Sequence, residues 1–224
     1  MVERVGDIVG EGVGDWGKQD GRERGRGAPF GSRHRGGRHY VFRMTTPTTS
    51  VPALLALLQQ ERAQLLATFE SIPEADRTRP GGEPGRGSGW SAAQIIEHCA
   101  RVEGNVARMI AKGAELPRTA TAEELQAGCL TETSIGWVRD HTKKVEAPER
   151  VRPIVPIAAA DALALLHASR AALLAAFTAA DPAVLDGILF PHPFVGPLTL
   201  RSWTELVAHH EARHAEQLAA LRRR

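Results

Sequence analysis

Between Trp203 and Leu221 apolar residues recur at helical spacing, yet two histidines stand where core side chains belong. Trp203, Val207, His210, His214, Gln217 and Leu221 make one stripe, flanked by Leu206 and Leu218. A spacing of four sets the two imidazoles about 40° apart on one helix face. The segment Ile95 to Ile110 repeats the anomaly: His98 shares a stripe with Ile95, Val102, Val106 and Met109, with Asn105 beside it. One buried, unpaired polar group costs about 1–3 kcal/mol. The three rings must therefore find separate hydrogen-bond partners or share one ligand. A pair at i, i+4 and a third ring on a matching seam favour the shared ligand, a single divalent metal.

The rest of the chain supplies helices to carry such a site. Ser50 and Pro52 open a first helix, through Leu54, Leu55, Leu58, Ala63, Leu65 and Leu66 to about Phe69. A glycine- and proline-rich stretch, 80–89, ends that unit. Ser91 caps the second helix, which stops near Gly113. The connection 116–156 is irregular, with short helices expected at 121–126 and 134–144. A third helix, about Ala159 to Ala179, turns Leu163, Leu166, Leu173, Leu174 and Phe177 inward. A proline-rich turn, 191–197, leads into the fourth, Arg201 to about Arg222. The expected fold is all-α: a four-helix bundle with a long connection between helices 2 and 3, its metal site assembled across facing helices.

Charge separates this body from what precedes it. Residues 1–43 hold nine of the 28 basic and six of the 26 acidic residues, leaving 19 and 20 in the remainder, a net of about −1. The sequence pI of about 8.8 thus belongs to the tail, and no basic face for nucleic acid is expected in the body. The tail also holds 11 of the 22 glycines, in runs such as Arg24-Gly25-Arg26-Gly27. Residues 1–47 read as a disordered tail, an idle extension or one whose first 43 residues precede an alternative start at Met44, with an RNA-associating Arg-Gly segment as the functional alternative, and the domain is expected at 48–224. Cys99 and Cys129 are too few for a disulfide framework. With no uninterrupted run of about 18 apolar residues and no signal core, a cytoplasmic protein without a membrane partner is expected.

His210-Glu211-Ala212-Arg213-His214 also fits the metalloprotease helix H-E-x-x-H. The longer form of that motif needs a glycine and a histidine where Gln217 and Ala220 stand, and Glu216 is the sole acid after His214. The protease reading is set aside, and Glu211, about 100° from His210, is expected to face solvent or to hydrogen-bond a ligand. Another pattern fits better. The run from Trp90 to His98, the turn His192-Pro193-Phe194-Val195-Gly196-Pro197-Leu198, and the run from His210 to Leu218 resemble three motifs of the DinB-like family: W-(S/T)-x-x-(E/Q)-x-x-x-H, H-P-x-x-G-x-L and H-x-x-R-H-x-x-Q-(L/I). The resemblance covers about Thr48 to Leu221.

That resemblance implies a bundle of the DinB/YfiT type, often a homodimer, with one divalent metal held by His98, His210 and His214. Zinc, nickel or iron all suit three imidazoles. It further implies a small-molecule substrate and thiol-dependent S-transferase chemistry with a metal-activated nucleophile, the thiol being of low molecular weight. The alternatives are a metal-dependent hydrolase that activates water, or a non-catalytic metal-binding bundle associated with stress. Among other residues, His192 reads as a turn residue, His209 as a rim group or a hydrogen-bond partner of a ligand, and His141 as solvated loop. His167 is a minor candidate for a fourth ligand, Cys99 a small packed residue, and Arg213 an exposed helix arginine or the partner of an anionic substrate.

Overall fold

The computed structural model describes residues 49–81, 89–153 and 155–222. Four long helices form the expected bundle: α1 (Val51–Glu70), α2 (Ala92–Gly113), α5 (Ala159–Ala179) and α7 (Leu200–Arg222). The expected tail falls outside the described residues. The helix starts follow the capping chemistry. Ser50 Oγ accepts from the Ala53 amide, and Ser91 and Gln94 form a reciprocal capping box at 3.2 and 3.0 Å. The most extensive helix pair is α2 with α5, followed by α1 with α7 and α2 with α7.

The long connection carries α3 (Ala122–Ala127) and α4 (Glu132–Arg139). The second stops five residues short of the expected Lys144. Asp140 is the reason: its carboxylate accepts from the Thr142 amide and hydroxyl at 3.1 and 2.5 Å, an Asx turn that competes with helix continuation. Two elements arise that periodicity did not suggest. Asp181 caps α6 (Pro182–Gly187) through the Ala183 amide. The proline-rich turn is a hairpin, β1 (Leu189–His192) antiparallel to β2 (Gly196–Thr199), in which Pro191 faces Pro197. Neither proline offers an N–H, so that pair adds nothing to the ladder. Gly196, at φ +83°, makes the left-handed step that closes the loop. The Trp203 indole, donating to the Phe190 carbonyl at 3.0 Å, holds the hairpin on α7.

Two apolar clusters fill the bundle. One is built around Leu54, Leu58, Val106, Ile110, Leu173 and Leu206, the other around Leu65, Phe69, Ile95, Ile96, Leu166 and Leu218. Between them lies one charged layer, to which every long helix contributes. Arg62 of α1 reaches Glu103 of α2 at 2.7 Å and Glu211 of α7 at 2.5 Å. Arg170 of α5 reaches the same two carboxylates at 2.5 and 3.1 Å. Ser169 donates to Glu103 at 2.6 Å. Glu103 and Glu211 are fully buried and Arg62 nearly so. Burial alone would lower the Arg62 pKa, but the hydrogen bond and charge of Glu211, together with Glu103, raise it. The remaining donors are used as well: Arg62 caps the Leu166 carbonyl and Arg170 that of Leu58. Two positive and two negative charges thus cancel in place. Such a layer gives little net stability relative to apolar packing, but it links all four long helices at one level of the bundle.

The inward stripes sit slightly differently from their expected positions. On α1, Ala63 is exposed and Arg62 takes a core position; on α5, Leu163 and Leu174 are half-buried while Ser169 is buried. Among the described residues, α5 alone is long and apolar enough to cross a membrane by length and composition. Here its Leu166, Leu173 and Phe177 are buried in the bundle.

Candidate metal centre

The charged layer turns Glu211 toward α1 and α5, and the helical rotation that separates it from its neighbours directs His210 and His214 toward α2 and the long connection. There they meet His98. The Nε2 atoms of His98 and His214 each lie 3.1 Å from Nε2 of His210, and all three ligand nitrogens fall within 4.8 Å of one another. The sequence-derived triad is therefore brought together across two helices.

The tautomers follow from what the far nitrogens touch. His98 donates from Nδ1 to the Val151 carbonyl at 2.8 Å, and His214 donates from Nδ1 to the Gln217 amide oxygen at 2.8 Å. Each ring is neutral, so each then presents a lone pair at Nε2. His210 has one proton at most to place between two lone pairs, and at least one of the 3.1 Å contacts lacks a full hydrogen bond. Burial enforces the neutral state. It pulls the His98 pKa down to about 4, with Arg213 and Arg101 acting in the same direction against the Val151 hydrogen bond. It also pulls His210 and His214 well below their ordinary value, helped by the neighbouring imidazoles.

This donor set fits a divalent cation. Metal to nitrogen bonds of 2.0–2.1 Å around a tetrahedral ion place ligand nitrogens about 3.3 Å apart, close to the two contacts observed. Hydrogen-bonded far nitrogens are the usual supports of histidine ligands, fixing ring orientation and raising basicity.

The cluster opens onto a cavity of about 830 Å³. Val102, Asn105 and Met109, read as an inward stripe, line this cavity and are only half-buried. Trp90 stacks near His98 with ring centres 4.9 Å apart. On the other side Trp137 packs on Phe194 and His192 on Trp203, at 5.3 and 4.9 Å. His192 keeps its turn role, accepting at Nδ1 from the Phe194 and Val195 amides, and it also lines the cavity.

Several residues depart from their sequence reading. Glu211 is neither solvent-facing nor a partner of the histidines: it is ion-paired on a different face of α7, with Arg62 and Arg170. His167 is exposed on α5 and is not in the histidine cluster. His209 is buried rather than rim-exposed, with Nδ1 3.0 Å from Arg139, which also pairs with Glu61. Arg213 is half-buried and donates to the Val138, Asp140 and Lys143 carbonyls, clamping the end of α4 and its following loop over the cavity. His141 is exposed as expected, at the cavity edge. Cys99 is buried and outside the cluster. The support from Val151 is a main-chain carbonyl with no sequence signal. Gln217 had one, three residues after His214 on the same stripe.

The architecture is a four-helix bundle with a three-imidazole centre at the base of a cavity, a class defined by site as much as by fold. The chain belongs to the DinB superfamily, whose family model matches residues 83–218. The uncharacterized protein YuaE of Bacillus subtilis (strain 168) is 25% identical over 134 residues, 59% of this chain and 77% of YuaE. A crystal structure of TT2238, a four-helix bundle protein, is 28% identical with a TM-score of 0.48, covering 75% of this chain and 96% of that one.

Proposed function

We propose that His98, His210 and His214 hold one divalent metal, and that the protein is a metal-dependent enzyme acting on a small molecule in the adjoining cavity. The observation that carries this reading is the convergence of three neutral Nε2 atoms, with fewer protons than hydrogen bonds to fill, at the wall of an apolar cavity. When bound, a divalent ion there supplies Lewis acidity, which lowers the pKa of a thiol or water brought to it.

Between those two nucleophiles, the surroundings favour the thiol. Water activation by a metalloprotease helix needs its glutamate as general base, and here Glu211 is spent on Arg62 and Arg170. Glu146, the one carboxylate among the described residues lining the cavity, is paired with Arg152 at 2.8 Å. A thiol needs less help, since its ordinary pKa of about 8.5 is already near neutrality. The reading is thus a thiol-dependent S-transferase using zinc, nickel or iron. In it, His98 and His214 are oriented by Val151 and Gln217, and the Arg213 clamp holds the connection that lines the cavity.

Elemental analysis of purified protein and a transfer assay with several low-molecular-weight thiols test this directly. Substitution with cobalt should give a spectrum that develops a strong sulfur charge-transfer band on adding the active thiol and loses it in His214→Ala. Absence of stoichiometric metal removes the enzyme reading. Metal without any thiol response transfers support to metal-dependent hydrolysis.

A further inference from the structure

The charges around the cavity are lopsided in a way the body of the chain is not. Lys143, Lys144, Arg150 and Arg213 line it against the single carboxylate of Glu146, although residues 44–224 carry a net charge of about −1. Lys143 leans over the Trp137 ring at 5.8 Å and toward Asp140 at 3.6 Å. Arg213 is tied to carbonyls. Lys144 and Arg150 are exposed at the edge. Lys144 has no carboxylate partner among the described residues. Arg150 is held close enough to Arg108 for burial and that like charge to lower its pKa. Deeper in, the walls are apolar and aromatic: Trp90, Val102, Val106, Met109, Trp137 and Leu206. A cationic mouth over low-dielectric walls focuses field lines and raises the local concentration of anions.

We propose that this cavity takes an organic anion with an apolar, planar body, its negative group held by Lys144 and Arg150 at the mouth and its body between the aromatic and aliphatic walls. The proposal rests on reading the same cavity as the substrate site, and it adds the substrate's chemical class. A volume of about 830 Å³ is within the range of sites for molecules of drug size, about 300–1,000 Å³.

Two fluorescent probes with one body test it: 8-anilinonaphthalene-1-sulfonate, an anion, and N-phenyl-1-naphthylamine, which lacks the sulfonate. Both are titrated into the full chain as purified and again after chelation, with metal content measured on the same samples. The sulfonate should bind about tenfold tighter than the neutral probe at low salt, an advantage that salt reduces. In Lys144→Glu/Arg150→Glu that advantage should vanish while the neutral probe binds as before. Met109→Trp, which fills the cavity, should weaken both probes, with circular dichroism confirming the fold. Equal binding of the two probes, a sulfonate affinity untouched by the double reversal, or undiminished binding in Met109→Trp overturns the proposal. Metal-free protein with charge-dependent sulfonate binding overturns only the metal reading. Stoichiometric metal with no preference for the sulfonate overturns only this one.

Discussion

Helix α7 carries buried polar groups on two neighbouring faces, and the two faces are built on different principles. On one, Glu211 meets two guanidinium groups that a second carboxylate shares, so charge and hydrogen bonds both close. On the other, His210 meets two lone pairs with one proton at most to offer, beside a cavity. Burial of polar groups is thus no guide to function by itself. A closed set of partners fixes structure; an incomplete one, next to open space, asks for a ligand.

The largest expected effect breaks the closed face. Glu211→Ala leaves Arg62 and Arg170 with Glu103 alone, in a layer from which water is excluded. Removing one partner of a buried ion pair costs about 3–5 kcal/mol, or roughly 10 °C in thermal midpoint for a domain of this size. In chelator, His210→Ala should cost less than about 1 kcal/mol, because its ring borders a cavity instead of completing a packed layer. Chemical denaturation of both variants decides this. Comparable losses would mean that the imidazole cluster is as structural as the charged layer.

With metal present the comparison reverses. Divalent ion at a hundred times its dissociation constant should stabilise the wild type by about 2.7 kcal/mol. His98→Ala and His210→Ala should lose this gain along with the bound ion, while His141→Ala keeps both. A thermal midpoint that does not move with added zinc or nickel would count against the site.

How much of this the sequence discloses depends on how local each signal is. Ser91 and Gln94 fix a helix start within four residues, and His98, His210 and His214 stand out because each violates an apolar period on its own helix. The charged layer left a fainter trace. Arg62 lies between Leu58 and Leu65, Glu103 between Cys99 and Val106, Arg170 between Leu166 and Leu173, and Glu211 between Ala208 and Ala215. One charge interrupts each stripe, but a lone charge on a helix ordinarily reads as solvated. Only the meeting of four helices separated by up to 149 positions makes these charges core residues. The hairpin was hidden because strands of four residues, one with Pro191 and the other with Pro197, lack the alternation and β-branched content that mark a strand.

A finer test asks whether the open face is held in place from outside the ligand set. Gln217 fixes the His214 tautomer, and removing such a support typically costs 10–100-fold in metal affinity. Gln217→Ala should weaken binding by about that factor in competition with a chromogenic chelator, with stability in chelator little changed. Affinity equal to the wild type would show that packing alone orients the ring.

The smallest expected effect concerns His192, at the edge of the cavity. Its Nδ1 accepts from the Phe194 and Val195 amides at 3.2 and 3.3 Å, and burial lowers its pKa to about 4. Protonation would put a hydrogen on the accepting nitrogen and leave both amides facing a donor. Because the folded value lies below the ordinary one of about 6.5, the unfolded chain takes up the proton first as pH falls. The contribution of His192 is therefore complete above about pH 6.5 and is lost on descent toward pH 4. Asparagine can make the same local acceptor contact without titrating. Unfolding of the wild type and of His192→Asn, both in chelator, should then differ by an amount that shifts toward the variant by up to about 2 kcal/mol between pH 7 and pH 4.5. The other buried histidines are common to both proteins, and what does not cancel in the subtraction is the charge that His192 lends to His210. A difference that stays flat with pH would show that the hairpin tip does not depend on a neutral imidazole, and would restrict the proton-poor character of this side of α7 to the three converging rings.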